Sequence, residues 1–245
     1  MIHIDFRGAK ELIRAIAVDI DGTLTDGSRV LCPDSVKAMR HLKLPVVLVT
    51  GNTHCFTRAT SVLLGTPRIF IAENGGIVSH SENDMEILAD PVVCQKAYQE
   101  LSRAFPLEVY NSSHYRFTDL ALKRNFDVAE ANRYIVEHGL PVELIDTKFA
   151  VHIKDKKVSK GTGLLRIAER MHLDPKEFAA IGDSLSDISM FRQAAFRASV
   201  ANANIELKEI SDYVAEASYG SGFAEIIKYM GKHGIFSPGS WTPSR

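Results

Sequence analysis

The chain has 245 residues, of which 45% are hydrophobic and 24% charged, and its formal net charge is −1. This length allows one large domain or two smaller ones, and the near-neutral charge provides no global field that would attract nucleic acid or an anionic membrane. No apolar run reaches the ~18 residues of a membrane span, and the acidic N-terminal residues are unlike a signal peptide.

The first 80 residues alternate short apolar strands with helices. Strands are predicted at residues 15–18, 45–49 and 68–72, and helices at residues 33–42 and 53–64. Short all-apolar strands between helices are typical of a parallel sheet that is covered on both faces.

The middle of the chain has a different order. Helices are predicted at residues 91–104 and 128–138, and each is followed by two strands, at 107–110 and 116–122 and at 142–145 and 149–153. This α-β-β-α-β-β order is typical of an antiparallel sheet with helices on one face. Because the flanking sequences SHSEND and KDKKVSK are polar, we predict an inserted α+β domain at residues 81–155.

The strand–helix alternation returns in the last third of the chain. Helices are predicted at residues 159–171, 187–191 and 205–210, and strands at 178–181, 196–200 and 213–215. The predicted fold is therefore a doubly wound α/β core, formed by residues 1–80 and 156–245, with the α+β domain inserted. The tail at residues 236–245, rich in Pro, Ser and Gly, is typical of a loose segment in which Trp241 could dock.

Polar residues follow several of the predicted core strands or begin the next helix. In chain order they are Asp19 and Asp21, then Thr50, Gly51 and Asn52, then Lys160, and finally Asp183 and Asp187. Ligands of parallel α/β sheets bind at the carboxyl ends of the strands, where we expect these residues to meet.

The chemistry of these residues suits a phosphate ester. Asp19 and Asp183 are hard oxygen ligands of the kind that Mg²⁺ prefers, and Thr50 with Gly51 offers a hydroxyl group and N–H groups to a phosphate. Lys160 adds a positive charge, and it is preferred to Lys157 because Gly161 follows it at a helix start. A carboxylate can attack phosphorus, and a second carboxylate nearby can transfer protons.

At these residues the sequence resembles the haloacid dehalogenase-like phosphohydrolases. The four motifs are DIDGT at 19–23, the region of Thr50, Lys160, and GDSLSD at 182–187, and the resemblance covers nearly the whole chain. It implies that Asp19 is the nucleophile and that Asp21 is the general acid and base, a residue typical of the phosphatases of the family rather than of its dehalogenases.

The resemblance also implies the binding residues. Mg²⁺ would be held by Asp19, the carbonyl of Asp21 and Asp183, with Asp187 in support. The phosphoryl group would be held by Thr50, Gly51, Asn52 and Lys160. The inserted domain resembles the larger cap type of the family, in its smaller α-β-β-α-β-β form.

Within the family, TGN at 50–52, ENGG at 73–76, the cap type and the length resemble the archaeal-type phosphoglycolate phosphatases. Ser186 is a departure, because relatives often have Asn there. This resemblance implies 2-phosphoglycolate as the substrate. A sugar phosphate, a phosphorylated glycerate, a phosphomutase reaction and a non-catalytic binding protein are the alternatives.

Several residues are candidates for recognising the leaving group of the substrate. Asn74 is a candidate to face the substrate, and the cap residues that could meet a substrate carboxylate are His114, Arg116, Lys123 and Arg124. The expected partner is a small phosphorylated metabolite, not nucleic acid or membrane. Three dispersed cysteines without metal or disulfide spacing favour a reducing cytoplasm, and the sequence leaves monomer and homodimer open.

Overall fold

A computed structural model describes residues 13–147 and 149–236 of the chain. The helices are α1 (Pro33–His41), α2 (His54–Leu64), α3 (Pro91–Leu101), α4 (Val128–Glu137), α5 (Lys160–Met171), α6 (Ile188–Phe191), α7 (Ile205–Glu209) and α8 (Tyr219–Lys232). The strands are β1 (Ala15–Asp19), β2 (Val46–Val49), β3 (Phe70–Ala72), β4 (Ile77–Ser81), β5 (Asp84–Ile87), β6 (Leu120–Leu122), β7 (Val142–Asp146), β8 (Val151–Asp155), β9 (Phe178–Gly182), β10 (Phe196–Ser199) and β11 (Tyr213–Val214). Short 3-10 turns occur at Glu73–Gly75, Asn111–Tyr115, Pro175–Glu177 and Leu185–Asp187.

The larger sheet has the strand order β11-β10-β9-β1-β2-β3-β4-β5. Its strands are parallel from β11 to β3, whereas β4 and β5 form an antiparallel edge. Every residue of β1 and β2 is buried, which is the pattern of strands covered on both faces. The predicted doubly wound α/β core is therefore confirmed.

Alternate residues of β1 point into two apolar layers. Ile16 and Val18 belong to a cluster that includes Phe223 and Ile226 of α8, and Ala15 and Ala17 belong to a cluster with Leu164 and Ile167 of α5. Successive side chains of a strand point to opposite faces, so helices cover the sheet on both sides.

The smaller sheet is antiparallel, with the order β6-β8-β7. Val151 and Ile153 of β8 pack with Leu101 of α3 and Ile135 of α4. The intervening His152 and Lys154 point to the opposite face, where they line a cavity between the two sheets.

The inserted region differs from its predicted order. Residues 107–110 form only an isolated bridge, Val109 to Leu122, in place of the predicted strand. The ladder ends there because the chain turns into the 3-10 segment Asn111–Tyr115. Strand β6 covers only the last part of the strand predicted at 116–122, because residues before it pair with the core instead.

Two further elements were not predicted. The β4–β5 hairpin lies where SHSEND was interpreted as a linker, and α8 occupies a region with no predicted helix. Since β5 pairs with β4 in the larger sheet, the chain leaves that sheet only after Ile87. The division of the chain at residues 81 and 155 stays a prediction.

In the described part of the chain, no helix combines the length and the apolar character that a bilayer crossing requires. The predictions for the N-terminal residues before 13 and for the tail with Trp241 lie outside the described residues.

Candidate active site

The carboxyl ends of three neighbouring strands meet at one edge of the larger sheet. Asp19 ends β1 opposite Val49 of β2, and Val18 lies opposite Ile181 of β9. Thr50 and Asp183 follow those two partner strands directly, so the fold brings the predicted residues together. Asp19 and Asp183 line a cavity of about 1100 Å³, whose other wall is the smaller sheet, whereas Thr50 is fully buried beside them.

Lys160 lies at the centre of this edge. Its Nζ donates to Asp19 Oδ1 and to Asp187 Oδ1, each at 2.6 Å, and all three side chains are buried. Burial alone would lower the pKa of Lys160, but the carboxylates of Asp187 and Asp19 raise it, so the side chain stays an ammonium ion. The competing Lys157 is exposed.

The start of α5 fixes the position of Lys160. Ser159 caps the helix by accepting a hydrogen bond from the Thr162 N–H, and the Thr162 hydroxyl accepts one from the Ser159 N–H. This reciprocal capping box fixes the residue at which the helix begins, which places Lys160 in its first turn.

Negative charge exceeds positive charge at this edge. Carboxylate oxygens of Asp19, Asp183 and Asp187 lie within 4.8 Å of one another, and Lys160 is the cation hydrogen-bonded among them. Burial raises the pKa of Asp19 well above its ordinary range; Lys160 opposes this, and the neighbouring carboxylates of Asp187, Asp183 and Asp21 add to it. A divalent cation among these hard oxygens would neutralise that excess, so the donor set fits Mg²⁺.

Asp187 holds other groups of the site in place. Its Oδ2 accepts hydrogen bonds from the N–H groups of Asp183 and Ser184, at 3.1 and 2.9 Å, while Oδ1 accepts from Lys160. Because both oxygens already have partners, Asp187 positions Lys160 and the loop that carries Asp183.

The structure also explains the Gly and the Thr that follow the two acids of DIDGT. Gly22 has φ +83°, and a Cβ at this position would lie 2.4 Å from Asp183 Oδ2. The hydroxyl of Thr23 donates to Asp183 Oδ1 at 3.3 Å. A side chain at position 22 would therefore be strained and would also displace a candidate metal ligand.

The segment Thr50 to Asn52 offers hydrogen-bond donors to an anion. Thr50 Oγ1 accepts from the Asn52 backbone N–H at 3.0 Å, which leaves its own hydrogen free to donate. Within the described residues, the Gly51 N–H has no acceptor. Helix α2 begins one residue after the Thr53 cap, so the three residues precede the helix rather than open it.

Both carboxylate oxygens of Asp21 are held. Asn52 Nδ2 donates to Oδ2 at 2.5 Å, and Arg29 Nε donates to Oδ1 at 2.8 Å. Arg29 also donates to Asn52 Oδ1 at 2.9 Å and lies 5.1 Å from the ring centre of Phe149, across the cavity. Arg29 was not predicted as a site residue, because it belongs to no motif and has an unfavourable φ of +65°.

The turn Glu73–Gly75 joins the core to the inserted region. The Glu73 carboxylate is buried and accepts hydrogen bonds from the N–H groups of Phe117 and Thr118, at 3.0 and 2.8 Å. Burial raises the pKa of Glu73, the nearby Asp119 raises it further, and the hydrogen bonds from Thr118 oppose the shift. Asn74, in the same turn, is buried and lines the cavity.

Of the candidate cap residues, Arg116 lines the cavity. Lys123 pairs with exposed Glu108, Arg124 pairs with Asp146, and His114 is exposed. The guanidinium group of Arg116 donates a hydrogen bond to Asp119 Oδ1 at 2.6 Å. His152, which the sequence analysis did not single out, shares that carboxylate through Oδ2 at 3.1 Å.

Known proteins match this chain over most of its length. The model of the haloacid dehalogenase-like hydrolase family matches residues 16–138 and 142–227. A phosphoglycolate phosphatase from Methanothrix thermoacetophila is 52% identical over 224 residues, which are 91% of this chain and 100% of that protein. A phosphoglycolate phosphatase from Archaeoglobus fulgidus is 43% identical over 219 residues, 89% of this chain and 97% of that protein.

A crystal structure of a Thermoplasma acidophilum protein has a similar fold. Its TM-score is 0.82 at 24% identity, and the match covers 90% of this chain and 99% of that one. The resemblance predicted from the four motifs is thus confirmed by matches that extend through both sheets. The chain belongs to the haloacid dehalogenase-like hydrolase family.

Proposed function

We propose that the chain is a Mg²⁺-dependent phosphatase that hydrolyses a small phosphate monoester through an aspartyl-phosphate, with 2-phosphoglycolate as its preferred substrate. The observation that carries the proposal is the buried Asp19 carboxylate, which lines the cavity, lies 2.6 Å from Lys160 Nζ and is clustered with Asp183 and Asp187. The names of the two phosphoglycolate phosphatases support the choice of substrate.

The first half of the reaction is attack by Asp19. A phosphate ester in the cavity would meet the hydroxyl of Thr50, the N–H of Gly51 and the ammonium of Lys160, which bind its non-bridging oxygens. An oxygen of Asp19 attacks phosphorus, the ester bond breaks, and the leaving oxygen takes a proton from the Asp21 carboxyl group. Arg29 and Asn52 hold Asp21 in position for this transfer.

The second half returns the enzyme to its starting state. Asp21, now a carboxylate, takes a proton from a water molecule as that water attacks the phosphorus of the aspartyl-phosphate. Phosphate leaves, and Asp19 is a carboxylate again. Mg²⁺ held by Asp19, Asp183 and the Asp21 carbonyl would neutralise charge on the transferring phosphoryl group.

A second candidate substrate class is a larger ester, such as a sugar phosphate. The observation in its favour is the volume of the cavity, about 1100 Å³, which exceeds the needs of a two-carbon leaving group. Chemistry at Asp19 and Asp21 would be the same for either class.

The test is phosphate release with and without Mg²⁺ from 2-phosphoglycolate, sugar phosphates, phosphoglycerates and an aryl phosphate. We expect Mg²⁺-dependent release with preference for 2-phosphoglycolate, and release at background for Asp19→Asn. Preference for another ester would overturn the assignment of 2-phosphoglycolate as the substrate but would leave the proposed roles of Asp19 and Asp21 in place. Unchanged activity of Asp19→Asn would refute the assignment of Asp19 as the nucleophile. If no ester released phosphate, a phosphomutase or a binding protein would be favoured instead. The cytoplasmic location and the choice between monomer and homodimer stay predictions.

A further inference from the structure

Two buried side-chain donors at the seam between core and inserted region have no hydrogen-bond acceptor. They are Arg116 Nε and Asn74 Nδ2, and among the described residues no other buried side-chain nitrogen or oxygen lacks a partner. Both residues line the cavity of the candidate active site. Buried donors are almost always satisfied, because an unsatisfied one costs free energy. Two in one place point to a ligand that supplies the acceptors.

Both donors belong to residues that touch Gly51. Arg116 Nη2 donates to the Gly51 carbonyl oxygen at 2.9 Å. The Asn74 side chain lies against the Cα of Gly51, so closely that a Cβ there would be 2.9 Å from Asn74 Oδ1. The pair therefore adjoins the segment proposed to hold the phosphoryl group.

The guanidinium group of Arg116 is held on two sides. Asp119 Oδ1 accepts from Nη1, and the Gly51 carbonyl accepts from Nη2. Burial would raise the pKa of Asp119, but Arg116 and His152 hold it below its ordinary value, so the carboxylate stays ionised. Glu73 fixes the backbone beside Arg116 through the N–H of Phe117. A planar guanidinium oriented in this way can present its remaining N–H groups to one oxyanion.

We infer that Arg116 and Asn74 bind the carboxylate of the leaving group and so determine which phosphate ester the enzyme prefers. The inference rests on the proposed function. In 2-phosphoglycolate a single methylene group separates the carboxylate from the ester oxygen, so the carboxylate subsite must adjoin the phosphate site. Arg116 and Asn74 meet that condition because each contacts Gly51. The side chain of Asp119 acts on the substrate only through Arg116, as a positioning residue.

The test compares two esters that differ in one group. In 2-hydroxyethyl phosphate a CH₂OH group replaces the carboxylate of 2-phosphoglycolate at similar size. For the wild type we expect kcat/KM to favour 2-phosphoglycolate, and for Arg116→Gln we expect this ratio to fall by about 10- to 100-fold, as for the loss of a hydrogen bond to a charged group. Asn74→Gly should also lower the ratio, and glycine accepts the φ of +56° at that position.

Two further variants separate recognition from folding. Arg103→Gln removes an arginine that is 73% exposed and pairs with Glu100 on α3, so its ratio should match that of the wild type. Arg116→Gln combined with Asp119→Asn removes the buried pair together and leaves no unpaired charge, and it should show the same low ratio with a melting temperature nearer the wild type.

The outcomes are distinct. A ratio that falls in both Arg116 variants and in Asn74→Gly, and stays constant in Arg103→Gln, supports the inference. A wild type that prefers 2-phosphoglycolate while the Arg116 and Asn74 variants lose activity equally on both esters overturns the inference and leaves the proposed function standing. A wild type that hydrolyses neither ester overturns the proposed function, and the inference with it.

Discussion

Gly22 provides a direct test of how the DIDGT motif supports the candidate metal site. Replacing it with alanine places a Cβ 2.4 Å from Asp183 Oδ2, whereas ordinary contacts of a Cβ begin at 3.4 Å. The Asp183 carboxylate must therefore retreat by about 1 Å, and a displacement of that size at a reacting centre can cost about 100-fold in rate.

The same substitution also strains the backbone. Gly22 has φ +83°, and a residue with a Cβ costs about 1–2 kcal/mol in the left-handed region. The collision with Asp183 adds about 1–3 kcal/mol, as overpacking does elsewhere. We therefore expect the free energy of unfolding of Gly22→Ala to fall by about 2–5 kcal/mol.

Gly65→Ala is the matched control. Gly65 has φ +70°, and a Cβ there would meet no atom within 4 Å. This variant carries the backbone strain without the collision, so its melting temperature should fall by about 2–4 °C for each kcal/mol while kcat/KM is retained.

The assay is Mg²⁺-dependent phosphate release from 2-phosphoglycolate, together with thermal unfolding of both variants. We expect kcat/KM of Gly22→Ala to lie about 100-fold below that of Gly65→Ala. If the two variants agree within about threefold, the carboxylate of Asp183 does not need its position beside Gly22, and the reasoning is refuted.

Three other outcomes follow from the same side chains. Lys160→Met should lower kcat by about 100- to 1000-fold, as for a lost oxyanion donor, while Lys157→Met, at an exposed position, should match the wild type in steady-state assays. A chelator should abolish phosphate release, added Mg²⁺ should restore it, and Asp183→Asn should need more Mg²⁺ for half-maximal activity; activity that survives chelation would contradict the donor set. Asp119→Asn leaves Arg116 buried without its carboxylate, so unfolding in urea should become easier by about 3–5 kcal/mol near neutral pH. Burial raises the pKa of Asp119, but Arg116 and His152 hold that pKa below its ordinary value of 3.8. The stabilising contribution of the carboxylate is therefore complete above pH 3.8 and is lost as the pH falls through the lower pKa of the folded state. The difference in unfolding free energy between Asp119→Asn and the wild type should accordingly shrink in acid.

The predicted core elements agree with the structure where a segment is buried and its apolar residues follow the spacing of a strand or a helix. The strand predicted at 15–18 and the helix predicted at 159–171 differ from β1 and α5 by one residue each. The placement of Asp19, Thr50 and Asp183 at one edge follows from strand order alone, because parallel strands end at the same side of a sheet. That part of the site could therefore be predicted without coordinates.

Helix α8 was missed because its first turn contains Gly220 and Gly222, which indicate a break by composition. In the structure these glycines allow close packing: a Cβ at Gly220 would lie 2.3 Å from Cys32 Cβ, and one at Gly222 would lie 2.2 Å from the Ala217 carbonyl oxygen. The helical signal was present farther along, since Phe223, Ile226 and Met230 repeat at helical spacing and are fully buried.

The β4–β5 hairpin was missed for a different reason. Ser81 pairs with Asp84, which leaves Glu82 and Asn83 as the loop, and the outer strand alternates half-buried and exposed side chains. An edge strand with polar residues resembles a linker in composition, so only the pairing with β4 identifies it.

Three residues of the site share a left-handed backbone conformation. Arg29, Glu73 and Asn74 all have positive φ, at 65°, 49° and 56°, and such residues cost of order 1–3 kcal/mol each unless the surroundings hold them. Local preference argues against this conformation at Arg29 and Glu73, whereas Asn tolerates it and Asn74 was already a candidate from the sequence.

What holds these residues is distant in the chain. Arg29 is fixed by Asp21 and Asn52, and the Asn74 N–H donates to the Thr50 carbonyl at 3.1 Å. Glu73 is fixed by Thr118, 45 residues away. Arg29 and Asn74 are thus held by other residues of the core, whereas the side-chain hydrogen bonds of Glu73 form only when core and inserted region are assembled together. Strain concentrated at residues of a site indicates that the geometry of the site, rather than local backbone stability, dominates at those positions.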